Sequence, residues 1–293
     1  MSDITGIEDL IILLVASLVP ALAWLAWVRQ GERYSTEGWG PLLSSFAYGA
    51  LFATFVAGIF ELIIVGVGTA VSQKYPGPET LFLNGNSSLG AFFLVLIIAP
   101  FVEEAFKAAG VVRSAAGFRL VADGPVVGAA VGLGFGFFET FLYGLGAFFA
   151  GGLLAGILLI VLRSVSSVLL HGSTTSLFGY GYAQERVGGK KGLTGAYYLL
   201  AVTMHAGFNA LASLGAILAI LGYGTTYVND ATIVSLFLVI AYAFAAIAHV
   251  RTVIARSDFP GAEGGHPRFR PPPVKTRAKI TPAVAPQPVT RRR

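Results

Sequence analysis

Hydrophobic positions in this chain come in long unbroken runs parted by short polar loops, not at the spacing of a one-sided surface helix. Seven runs can be drawn: Ile7–Val28, Leu42–Val71, Leu89–Val112, Pro125–Ala150, Leu153–Tyr182, Leu193–Leu221 and Thr232–Ile254. Crossing the hydrocarbon core takes roughly 20 apolar residues, and several runs exceed that, which predicts tilt, kinks or fraying ends. The pattern therefore predicts an all-α, polytopic membrane protein, a bundle of about seven transmembrane helices filling residues 1–255. The stretch "FFAGGLL" between the fourth and fifth runs is the weakest boundary.

Composition strengthens this reading. Only 12% of the residues are charged and 55% are hydrophobic, where a soluble chain carries about a quarter charged residues. Asp3, Glu8 and Asp9 precede the first run where a cleaved signal would carry basic residues, so it reads as a retained helix. Lys and Arg fix the orientation. With the N-terminus outside, the inner loops hold Arg29 and Arg33, then Arg113 and Arg119, then Arg186, Lys190 and Lys191, while the outer loops hold only Lys74. Seven crossings then put the C-terminus in the cytosol of a multi-pass cell-membrane protein. Residues 256–293 are Pro-rich and basic, with nine Lys or Arg from Arg256 onward. They read as a disordered cytosolic tail, a solvated topology anchor that can also meet anionic lipid headgroups. Zero cysteines exclude disulfides and thiolate metal sites.

Ionisable residues inside spans are costly and call for a reason. Here they are Glu61, Glu103, Glu104, Lys107, Glu139, Arg163, His171 and His205. Counted inward from the cytosolic helix ends, Glu103, Glu104, Glu139, His171 and His205 all fall about 8 to 14 residues deep, at 1.5 Å per residue. Four helices thus bring acids or imidazoles to one level, which predicts one site. Lys107 follows Glu103 by four residues and Glu104 by three, so it projects between them. Ser164, Ser167, His171 and Thr174 make one polar face, and Asn209 follows His205 by one turn. Glu61 and Arg163 lie deeper, each roughly 20 residues from the cytosolic face, and are expected to pair with each other. Gly128, Gly132 and Gly136 form a stripe that lets another helix approach closely.

The chemistry open to such a cluster is narrow. There is no HExxH helix for a conventional zinc protease, no aspartate pair within the spans and no evident Ser-His-Asp arrangement. Glutamate and histidine remain. A buried glutamate crowded by a second carboxylate can act as general base toward water, and an imidazole or amide can stabilise the oxyanion of a tetrahedral intermediate. A proton- or ion-coupled transporter would also keep such groups at mid-bilayer, but should show repeats and matching broken helices in two halves. A non-catalytic intramembrane scaffold subunit is the third reading.

"EEAFK" (Glu103, Glu104, Lys107), "FGFFE" (Phe135 to Glu139), the isolated His171 and "HAGFN" (His205 to Asn209) resemble the four ordered motifs EExxK, FxxxE, a lone His and HxxxN of the PrsW family. That family is related to the CAAX prenyl proteases and their bacterial relatives. The resemblance covers roughly residues 40 to 215. Lys107 and Glu139 stand where the prenyl-protease branch usually has EExxxR and FxxxH. It implies an intramembrane endopeptidase of glutamic or metallo type acting on a membrane-anchored protein. Glu103 would activate water, with Glu104 supporting it. Glu139, His171 and His205 would complete the site, Asn209 would donate to the oxyanion, and Lys107, with Phe135 of the second motif, would play a supporting part.

Metal dependence stays open at this point. Glu103, Glu139, His171 and His205 could hold Zn²⁺ with a position left for water; without an i, i+4 His pair, the metal-free reading is preferred. The expected partners are the bilayer and the anchored substrate, with no nucleic acid.

Overall fold

The computed structural model describes residues 2–34 and 36–258 and is all-helical, with no strand among the described residues. The expected tail falls, from residue 259 on, outside them. Five helical runs are long and apolar enough to cross a bilayer: Gly6–Arg29, Trp39–Lys74, Ser88–Gly117, Asp123–Arg186 and Thr225–Ser257. A sixth is the pair Leu193–Ala212 and Leu214–Ile220, bent by 63°. Large apolar side chains cover the outside, among them Leu62, Phe149 and Phe237. A water-soluble monomer does not tolerate that much exposed apolar surface; here it faces lipid.

We label the helices α1 (Ser2–Arg29), α2 (Trp39–Ala47), α3 (Thr54–Lys74), α4 (Ser88–Phe93), α5 (Ala99–Ser114), α6 (Asp123–Ser164), α7 (Ser167–Arg186), α8 (Leu193–Ala212), α9 (Leu214–Ile220) and α10 (Thr225–Ser257). Wide π turns join α2 to α3 and α4 to α5. The second of these, Leu94–Ile98, precedes Pro100, which has no N–H for the regular helical bond.

The longest run folds back on itself. Gly151 and Gly152 leave helical geometry inside α6, and Gly152 takes φ 78°, where a side chain would be strained. The two arms run antiparallel: Arg163 reaches Glu139, and a Cβ on Gly144 would touch Ile160. The expected boundary between the fourth and fifth runs is thus a tight hairpin. The fifth run, expected as one helix over 153–182, is interrupted at Val165–Ser166, where the Trp24 indole N–H takes the Ser164 carbonyl (3.0 Å).

The expected glycine stripe, Gly128, Gly132 and Gly136, lies on the seam between α6 and α7, which Gly124 extends by one turn. A Cβ at Gly124, Gly128 or Gly132 would fall 2.2, 2.3 or 2.0 Å from the carbonyl oxygens of Gly179, Thr175 and His171 in turn. Only glycine lets the backbones come this close, and the register of α7 on α6 follows from it. Around this seam one apolar core joins α1, α2, α6, α7, α8 and α10, while α5 lies across α6, α7 and α8.

Candidate active site

The charged residues of α5 to α8 meet in one buried cluster. Lys107 on α5 is wholly buried. Its Nζ donates to Glu104 Oε1 at 2.7 Å, lies 2.9 Å from His171 Nδ1 and 3.6 Å from Glu103 Oε2, and sits 4.5 Å above the Phe135 ring. It therefore does stand between the two glutamates. Adjacent helical residues point about 100° apart, and the two carboxylates accordingly have different surroundings.

Glu104 is held through one oxygen. Its Oε1 accepts from Lys107, from the Thr174 hydroxyl at 3.0 Å and from His205 Nδ1 at 2.9 Å. Glu139 is likewise held: its Oε2 takes the Arg163 guanidinium at 2.7 Å and His171 Nε2 at 2.8 Å, with the Ser167 hydroxyl at 3.5 Å. Glu103 is not. Its Oε2 is buried without a hydrogen-bond partner and lies 3.9 Å from both His171 Nδ1 and His205 Nε2.

This pattern sets the imidazoles. Each histidine gives one ring N–H to a carboxylate, His171 Nε2 to Glu139 and His205 Nδ1 to Glu104, a tautomer assigned from these partners. The remaining nitrogens, His171 Nδ1 and His205 Nε2, each lie 3.9 Å from Glu103 Oε2, and that of His171 accepts from Lys107 Nζ at 2.9 Å. The rings meet edge to face, 5.0 Å between centroids, and Phe135 closes the side of His171 at 5.1 Å.

A metal ion fits these donors. Glu103, His171 and His205 each offer one atom, all within 4.8 Å of one another. A carboxylate behind each histidine is the support that metal-binding imidazoles receive. Tetrahedral zinc, with bonds of about 2.0–2.1 Å, needs its ligands somewhat closer together than the 3.9 Å separations here. Lys107 now holds the His171 nitrogen that such an ion would use, so ammonium and metal are alternatives. Glu139, expected among the ligands, lies outside this set because Arg163 and His171 Nε2 engage it.

One expected pairing changes. Arg163 pairs with Glu139, not Glu61, because the hairpin brings residues equally far from Gly151–Gly152 side by side. The glycine pair carried that signal, and the depth count overlooked it. Asn209 remains one turn from His205, but its amide donates to the Val95 carbonyl (2.9 Å), in the π turn before Pro100. The neighbours of Glu104 on α7 and of Glu139 on α6 and α7 also include Thr174 and Ser167, from the polar face read on the fifth run.

No curated protein and no solved structure matches this chain. A family model described as PrsW family intramembrane metalloprotease matches residues 37–249, a range that contains every residue of the cluster. This multi-pass membrane protein belongs to the PrsW family of intramembrane proteases.

Proposed function

We propose that the chain hydrolyses a peptide bond of a membrane-anchored protein, with Glu103 as the base that activates water. The observation carrying this is Glu103 Oε2, buried without a hydrogen-bond partner 3.9 Å from one nitrogen of each histidine, while Glu104 and Glu139 each spend one oxygen on the groups that hold the cluster together. Water beside Glu103 would donate one hydrogen bond to its Oε2 and another to His205 Nε2. As the water oxygen attacks the scissile carbonyl, Glu103 takes the proton. When the C–N bond breaks, Glu103 returns it to the departing amine. Glu104 and Glu139 fix the histidines, and Lys107 offsets the acids. Asn209 uses one N–H on Val95 and keeps a second for the substrate oxyanion. Zinc or another divalent ion bound by Glu103, His171 and His205 would supply the polarising charge that acidifies water.

The lysine and arginine pattern supports seven crossings with the N-terminus outside, the hairpin arms at Gly151–Gly152 counting as two. The basic tail would then lie in the cytosol within reach of anionic headgroups. The test is cleavage of a library of membrane-anchored peptides by purified protein in detergent, wild type against Glu103→Gln and His205→Ala. Both variants should lose turnover; cleavage unaffected by either rejects the assignment. Repeating the assay after exhaustive chelation, then with zinc restored, separates the two water-activating routes.

A further inference from the structure

Glu61 is one of the charged residues within the spans that the site does not use. It stands on α3, one turn beyond Ala57, and Ala53 and Ala57 pack against Phe135, the ring beneath Lys107. The next residue on that stripe is Glu61. The neighbouring Phe60 ring rests on Phe106 of α5, 5.1 Å between centroids. Glu61 is accordingly within electrostatic reach of Glu103, Lys107 and Glu139.

No cation pairs with it directly among the described residues. Glu104 and Glu103 share Lys107, and Glu139 has Arg163, but Glu61 forms no ion pair among the described residues. One of its oxygens, Oε1, is buried with no hydrogen-bond partner, while the side chain as a whole is half-buried. A carboxylate at this depth is costly even when hydrated. Either side of it along the helix, Phe60, Leu62 and Ile63 are exposed and lipid-facing. Glu61 therefore sits at the lipid-side edge of the cluster, where a membrane segment would approach.

We infer that Glu61 is a substrate-recognition residue that receives a lysine or arginine side chain placed near the scissile bond. This rests on the protease reading. A basic side chain suits the position twice: its apolar stem can lie against Phe60 and Phe106, and its charged head needs an anion at this depth. The carboxylate and the incoming cation would cancel costs that each carries alone.

The test uses membrane-anchored peptides identical except for Lys, Leu or Glu, placed in turn within about one helical turn of the cleaved bond. Wild type should favour Lys over Leu in kcat/KM by about tenfold or more at one position, the scale of a charge-assisted hydrogen bond. Glu61→Gln should bring that ratio close to one, and Glu61→Arg should invert it toward the Glu peptide. An unchanged Lys-to-Leu ratio in both variants overturns the inference. A binding measurement on Glu103→Gln, with and without Glu61→Gln, needs no turnover. There, loss of Lys-peptide preference supports the inference even if hydrolysis fails, and equal binding refutes it even if hydrolysis holds.

Discussion

Replacing Lys107 by methionine keeps most of the side-chain volume and removes the charge, so it isolates what the ammonium contributes. Lys107 is fully buried and touches three groups within 3.6 Å: Glu104, His171 and Glu103. Removing one member of a buried ion pair costs about 3–5 kcal/mol, because the other charge is left in a medium that cannot solvate it. Glu104 would keep its bonds from Thr174 and His205, which puts Lys107→Met near the lower end, at about 3 kcal/mol. For a chain of this size each kcal/mol moves Tm by about 2 °C, so the variant should melt about 6 °C below wild type. Divalent metal gives the second axis. Without the ammonium, His171 Nδ1 is free and the donor set with Glu103 and His205 is open. Cobalt or zinc at about 100 times its Kd returns about 2.7 kcal/mol, or about 5 °C, and should raise the variant by more than it raises wild type. The assay is thermal unfolding in detergent with and without chelator. A variant melting with wild type would show that Lys107 does not balance these acids. Equal metal shifts in both proteins would show that it does not compete with a metal.

Gly132→Ala should cost about 1–3 kcal/mol of overpacking and lower turnover, since its Cβ would fall 2.0 Å from the His171 carbonyl oxygen. Gly58→Ala, with nothing within 4 Å, should leave both unchanged or gain a few tenths of a kcal/mol in helix propensity; equal effects would refute the seam. Outside the membrane, burial pushes the Glu32 carboxyl up to about 8 from its ordinary 4.5; the Glu37 N–H opposes the rise, and the charges of Asp258, Glu37 and Asp123 add to it. The folded protein then keeps a proton that the unfolded chain releases, so this contribution to stability is complete below pH 4.5 and is lost as pH rises toward 8. Glu32→Gln should flatten the fall of Tm across that window and leave the low-pH value nearly unchanged; a slope identical to wild type would refute it.

Depth alone predicted which residues meet, because equal distance from a helix end becomes equal height in a bundle. Glu103, Glu104, Glu139, His171 and His205 came from four expected spans by that rule, and the cluster contains all five. Depth does not say which helices are neighbours, and Arg163 shows the consequence. At similar height to Glu61, it was matched to the wrong acid, because the hairpin at Gly151–Gly152 makes its own preceding arm the nearest surface. Nor does depth reach the atomic level, where Glu104 Oε1 accepts three hydrogen bonds and Glu103 Oε2 has none. Glu103 and Glu104 are adjacent, similar in burial and indistinguishable by any count along the chain. What separates them is a helix rotation of about 100°, which sends one toward the hydroxyl of Thr174 and the His205 N–H and the other to within 3.9 Å of one nitrogen of each histidine. That rotation depends on how α5 lies against the α6–α7 seam, so the glycine stripe, read only as a packing device, also bears on which carboxylate is left free to meet water.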